Sequence, residues 1–197
     1  MKSITDTLND IGDYAKYALL RALCSCGPEG ARLGVLWYLT EHVELNGDGR
    51  RRAHLFRDGW DDLDPELLAR MRGLEGSLQS DEDLHLSLVE RSGILPARTT
   101  FFSEALPLDG RTPDERREQR AAWFERAQDA LSGCDFVFVD PDNGLEVKSV
   151  KRGSRLAGKY AAVEEVSALL AAGAGVILYQ HRDRSPGLRS VFEFAIR

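Results

Sequence analysis

The sequence predicts an α/β fold with a mostly parallel sheet flanked by helices. Two runs of strand length, DFVFV (135–139) and GVILY (175–179), are apolar almost throughout, as parallel strands buried on both faces are. Between them Lys159 to Ala172 has amphipathic helical spacing, which gives the strand–helix–strand order of a parallel crossover. A third run, LGVLWYL (33–39), stands early in the chain and supplies another buried strand.

The remaining elements follow in order. Tyr14, Tyr17, Ala18, Leu20, Leu23 and Cys24 recur at helix spacing within 13–26, and Gly27-Pro28 stops that helix. After LGVLWYL, Asn46-Gly47-Asp48-Gly49 reads as a turn, because Asn and Gly supply the positive φ of a sharp reversal. A weaker run follows at 53–56. Asp64-Pro65 opens a helix through Arg72, with Asp as N-cap and Pro in the first turn. Another helix begins at Ser80 to Asp83, carries Leu84, Leu86, Leu88 and Val89, and ends at Gly93; Thr99 to Phe102 is a short strand. Thr112-Pro113-Asp114-Glu115 starts a long charged helix to about Leu131, with Trp123, Phe124, Ala127 and Leu131 as its apolar stripe. Its mixed charges at i,i+4 spacing predict a solvated face over 111–126. One more short element of open type follows His181. No repeat, low-complexity tract or linker interrupts the chain, so 1–197 reads as a single domain with an N-terminal helix.

Composition bounds the function. The chain has 197 residues, 43% hydrophobic and 29% charged, with a net charge of −6; this is globular, and it excludes the broad basic face of a constitutive nucleic-acid binder. A local basic patch remains open, since 26 residues are Lys or Arg and lysine is confined to positions 2, 16, 148, 151 and 159. Three cysteines, Cys24, Cys26 and Cys134, leave an odd thiol and point to a reducing compartment. Cys24-x-Cys26 lacks zinc spacing and reads as inert thiols. The first residues are acidic and polar where a signal peptide is basic and then apolar, and no run approaches the roughly 18 apolar residues of a membrane span. The expectation is a cytoplasmic protein with no membrane partner.

In parallel α/β sheets ligands bind beyond the carboxyl ends of strands. Asp140-Pro141-Asp142-Asn143-Gly144 directly follows DFVFV, and Gln180-His181-Arg182-Asp183-Arg184 follows GVILY. If those strands are neighbours, Asp140, Asp142 and Asn143 share a crevice with Gln180 and His181. A strand-ending turn also explains DPDNG, but two carboxylates and a carboxamide exceed what a turn requires. Lys16, between Tyr14 and Tyr17, reads either as a lysine whose stem lies along apolar surface or as a contact for a phosphate or carboxylate. Asn46, Asp48 and Gly49 read either as a plain turn or as a ligand loop, with Arg50, Arg51 and Arg52 beside them.

The strand DFVFV followed by Asp140-Pro141-Asp142-Asn143 resembles motif IV of the Rossmann-like S-adenosylmethionine-dependent methyltransferases that modify exocyclic amines of bases, whose pattern is Asp or Asn, Pro, Pro, aromatic. The order of elements is similar to that of the bacterial family that methylates an adenine N6 in large-subunit ribosomal RNA. In that family an N-terminal helix with Asp, Lys and His precedes the first strand, and a DPPYE segment precedes a Tyr-containing helix and another strand. Here Asp13-Tyr14-Ala15-Lys16-Tyr17 and Lys159-Tyr160 hold the matching positions. The chain also resembles, over nearly its whole length, a bacterial family marked by GDYxKYxLLR, GVLWYL, DPDNG and YQHxxR segments, a likeness that implies no particular activity.

The methyltransferase resemblance implies a Rossmann-like fold of methyltransferase type, S-adenosylmethionine as cofactor, and a nucleic acid or nucleotide as partner. Asp140 and the Pro141 carbonyl would accept hydrogen bonds from the target amine, with Asn143 and His181 as further polar contacts. Lys16, Asn46, Asp48 and Gly49 would lie toward the cofactor. The chain departs from the pattern at Asp142 and Asn143, which replace the second proline and the stacking aromatic, and no glycine follows LGVLWYL until Gly47.

Two other readings stand beside it. A Mg²⁺-dependent nuclease or phosphoesterase would use Asp140, Asp142 and Glu146 as oxygen ligands with Lys148 nearby. A degenerate methyltransferase fold would bind a nucleotide or a protein partner without catalysis.

Overall fold

Strand β1 (Leu33–Trp37) is buried at all five positions, and a strand that is apolar on both faces belongs inside a sheet rather than at its edge. The computed structural model describes residues 11–26, 30–40, 63–77, 86–180 and 193–195. They form two compact units: a sheet unit within Ala31–His42 and Arg98–Arg197, and a helical unit within Lys2–Gly30 and Val43–Ala97.

In the sheet unit, β1 lies between β2 (Thr99–Phe102) and β3 (Phe136–Asp140), followed by β4 (Gly175–Leu178) and β5 (Glu193–Ala195), so the order is β2-β1-β3-β4-β5. The first four are parallel, with Leu33 opposite both Thr99 and Phe136, and Phe136 opposite Gly175. β5 pairs antiparallel with β4 and supplies the short element whose type the sequence leaves open. The result is the mostly parallel α/β sheet that the apolar runs predict, and it is Rossmann-like, as the resemblance implies.

Helices α4 (Pro113–Ala130) and α5 (Val163–Ala171) connect β2 to β3 and β3 to β4. Both crossovers advance in the same direction across the sheet, so right-handed connections put both helices on one face. Trp123, Phe124 and Ala127 of α4 and Leu169 of α5 bury there against Leu36, Val137, Val139 and Val176. The start of α4 matches its sequence signature: Thr112 Oγ1 accepts from the Glu115 N–H at 3.1 Å, and the Glu115 carboxylate accepts from the Thr112 N–H at 3.1 Å, a reciprocal cap.

Two expectations are corrected. The helix expected from Lys159 begins only at Val163; Arg155–Lys159 is a 3₁₀ turn, and Tyr160 to Ala162 are extended. The physical reason is competition for backbone groups, because Ala161 N–H donates to Gly144 O and Ala161 O accepts from Glu146 N–H. The second correction concerns one residue of the solvated face expected over 111–126, most of which is exposed as expected. Arg120 is mostly buried and donates to Glu165 (2.6 and 2.8 Å), Ala157 O (2.7 Å) and Tyr160 O (2.8 Å).

The Glu165 carboxylate also accepts from Tyr38 Oη at 2.8 Å. Burial, reinforced by the negative charge of Glu165, holds the Tyr38 pKa well above the ordinary 10.0. Above about pH 10 the unfolded chain therefore loses a proton that the folded chain keeps, and stability falls by about 1.4 kcal/mol per pH unit until the folded group titrates. Tyr38→Phe is expected to lack this part of the alkaline slope in urea titrations between pH 9 and 11. An unchanged slope would mean that the phenol is not shielded.

In the helical unit, α1 (Ile11–Cys24) buries Tyr14, Tyr17, Leu20 and Cys24, and α2 (Pro65–Ser77) buries Leu67, Leu68 and Met71. Asp64 caps α2 by accepting from the Leu67 N–H at 2.9 Å, and its other oxygen holds Arg21 of α1 at 2.6 Å. α3 (Leu86–Arg91) is followed by buried Ile94 and Leu95. Among the described residues no helix is long and apolar enough to cross a membrane.

Candidate functional site

The chain passes from β1 to β2 in one direction and then over β1 to β3 in the other. In sheets of this order, the ligand crevice lies outside the carboxyl ends of the strands at which that reversal occurs. The reversal falls between β1 and β3, whose ends meet at Trp37 and Asp140, in register with each other. The DPDNG cluster therefore stands at the switch point of the sheet.

The loop is built by its neighbours. Asp140 is the last residue of β3 and half-buried, Pro141 is buried, and Asp142 and Asn143 are half-buried. Asn143 N–H donates to Lys159 O at 2.8 Å, and Leu145 forms a parallel bridge with Ala161. At the end of β4, Gln180 closes the other side: its Oε1 accepts from the Leu145 N–H at 2.8 Å and its Nε2 donates to Asn143 O at 3.3 Å. Between those two contacts Gly144 has φ +90°, and a Cβ there would fall 2.2 Å from Gln180 Oε1. Both the left-handed backbone and the close approach require glycine.

Gly144→Ala is accordingly expected to cost about 1–3 kcal/mol for the backbone conformation alone and to push Gln180 off the loop. Urea unfolding gives the first effect. Weakened amide-exchange protection at Leu145 gives the second, and retained protection would mean that Gln180 is not the clamp.

The expected site residues come together only in part. Asp140, Pro141, Asp142 and Asn143 share one loop, and Gln180 touches it directly. His181, Asn46, Asp48 and Gly49 lie outside the described residues, as do Arg50, Arg51 and Arg52. Lys16 belongs to the helical unit, where it is buried and its ammonium pairs with Asp13 at 2.9 Å. Glu146, a ligand in the metal reading, instead accepts from Arg152 at 2.8 Å and from the Val163 N–H at 3.2 Å. Among the described residues no group of three or more His, Cys, Asp or Glu gathers in a way that could hold a metal ion.

The end of β1 differs from a glycine loop. Tyr38 is buried with its ring 5.2 Å from that of Trp123, and buried Thr40 packs against Gly158, where a Cβ would meet Leu108 at 2.4 Å and Thr40 at 3.3 Å. The described residues thus do not form a cradle for the methionine end of S-adenosylmethionine after β1.

A groove of about 280 Å³ opens at the opposite, amino ends of the strands, lined by residues including Arg32, Cys134, Asp135 and Leu169. Burial raises the pKa of the Cys134 thiol there, which keeps it protonated and a poor nucleophile. The groove is on the wrong end of a parallel sheet for chemistry.

Sequence reasoning found the acidic loop and set Gln180 in its crevice, but missed the roles of Trp37, Arg120 and Glu165. Arg120 had a signal, since it stands three and four residues before Trp123 and Phe124 on the buried stripe. Glu165 had another, at the third position of α5. Comparison of the chain with protein-family models, with curated proteins and with solved structures gives no match.

Proposed function

We propose that the switch-point loop binds an amine of a nucleotide or nucleic acid and aligns it for methyl transfer from S-adenosylmethionine. The observation that carries this reading is the position of Asp140-Pro141, braced by Gln180 and by Lys159 to Ala161, at the crevice where the sheet changes direction. A carboxylate and a carbonyl at consecutive positions offer two acceptors to the two N–H groups of one amine. Holding both leaves the nitrogen lone pair turned outward toward an incoming methyl group. The cofactor, when bound, supplies that methyl group.

Asp140→Ala is expected to lower methyl transfer by about 10²-fold or more, on the scale of removing one aligned polar group from an active site, with near-UV circular dichroism unchanged. Calorimetric titration with S-adenosylhomocysteine tests the cofactor directly. No detectable binding by the intact protein would overturn methyl transfer.

A second reading is favoured by buried Tyr38 and Thr40, which stand where the cofactor loop belongs. In it the same loop holds a nucleotide without catalysis. Binding of a nucleotide by a protein that ignores S-adenosylhomocysteine would select it.

A further inference from the structure

Trp37 ends β1 directly opposite Asp140 of β3. Residues paired across parallel strands point to the same side, and successive residues alternate. One step earlier, Leu36 and Val139 are likewise paired and both enter the core that holds Trp123 and Leu169. Trp37 and Asp140 therefore share the opposite face, at a strand spacing of about 5 Å.

Trp37 is only 5% exposed, and its Nε1–H has no hydrogen-bond partner. No other buried side-chain nitrogen or oxygen among the described residues is left in that state. An indole nitrogen can only donate, and leaving a buried donor unpaired costs about 1–3 kcal/mol. The orphan sits at the switch point, beside a half-buried carboxylate, where the fold puts ligands. A carboxylate has about four acceptor sites and can serve a ligand alongside contacts within the chain.

The pair thus presents one donor next to one acceptor. The complementary edge carries an acceptor next to a donor, as adenine does with N1 or N7 beside its N6 amine, and cytosine with N3 beside its N4 amine. We propose that Trp37 and Asp140 together read the amino edge of adenine or cytosine, with Trp37 Nε1–H donating to the ring nitrogen and Asp140 accepting from the exocyclic amine. This rests on the reading that the crevice takes a nucleotide amine; it adds Trp37 as a second residue that binds the base edge.

The test is ¹H–¹⁵N spectroscopy of the indole N–H groups during titration with AMP, CMP, IMP and UMP, with Trp37 assigned by the loss of its signal in Trp37→Phe. AMP or CMP is expected to shift the Trp37 signal downfield and to bind about 5- to 10-fold more weakly to Trp37→Phe, the effect of one hydrogen bond. Should that variant not fold, calorimetry of AMP and CMP with Asp140→Ala decides, and undiminished affinity overturns the proposal. IMP and UMP, which carry a carbonyl oxygen where adenine and cytosine carry the amine, are expected to bind at least 5-fold more weakly. Equal binding of all four overturns it, and so does a Trp37 signal that none of them moves.

Repeating the titration with saturating S-adenosylhomocysteine separates the two readings. A Trp37 response that the cofactor product abolishes means that the pair holds the cofactor's own adenine, and the proposal fails. A response in a protein that does not bind S-adenosylhomocysteine sustains the base-reading pair while methyl transfer falls.

Discussion

Glu165→Ala is expected to destabilise the sheet unit by about 3–5 kcal/mol, the usual cost of removing one partner from a buried ion pair. The carboxylate is 9% exposed and the Arg120 side chain 15%. Four donors converge on it: Arg120 Nε at 2.6 Å, Arg120 Nη2 at 2.8 Å, Tyr38 Oη at 2.8 Å and the Ala162 N–H at 2.9 Å. Alanine leaves the guanidinium buried without its counter-charge, the phenol without its acceptor and α5 without its cap.

The effect reaches the candidate site, because Arg120 also holds Ala157 O and Tyr160 O, the segment that hydrogen-bonds the DPDNG loop. Urea unfolding followed by near-UV circular dichroism reads the change, since Trp123 lies edge-on to Tyr38. Arg120→Met with Glu165→Leu should recover part of the loss, because replacing both charges by apolar side chains removes the unpaired ion. A Glu165→Ala midpoint within about 1 kcal/mol of the parent would place the pair with weak surface bridges.

Lys16→Met is expected to cost a similar 3–5 kcal/mol in the helical unit. Asp13 is 4% exposed and Lys16 8%, and they pair at 2.9 Å across three residues of α1, flanked by buried Tyr14 and Tyr17. An exposed pair at this spacing contributes only about 0.3–0.5 kcal/mol. Burial changes the scale, because methionine fills the space of the lysine stem but leaves the Asp13 carboxylate without its ammonium. Asp13→Asn combined with Lys16→Met should restore much of the loss, and far-UV circular dichroism in urea measures both. Should Lys16→Met alone be as stable as the parent, the pair contributes no more to the fold than an exposed one.

Much of the fold was legible because its signals are local. β2 over Thr99–Phe102 and the capped start of α4 at Thr112 depend on side chains acting on their own or adjacent backbone. The acidic loop was legible for a related reason, as Asp140 directly follows a strand whose apolar run makes its burial plain. The helix expected from Lys159 failed because two of its residues, Lys159 and Ala161, share their backbone hydrogen bonds with a loop some 16 residues earlier, a partner that periodicity does not register.

Arg120 and Glu165 show the same division. Arg120 looks like a solvated charge in a mixed-charge helix and Glu165 like one on the polar side of an amphipathic helix, and only the crossing of α4 with the 155–165 segment turns them into a buried pair. The sequence by itself determined that this chain forms a mostly parallel α/β sheet with acids at a strand end, since hydrophobic period and turn chemistry are short-range properties. Tertiary structure alone decided that β1 lies between β2 and β3. That order makes the end of β3 a switch point, sets Asp140 beside the unpaired Trp37 N–H, and brings Gln180 against Gly144. Strand order is a long-range choice, fixed by crossover handedness and by which faces can be buried together.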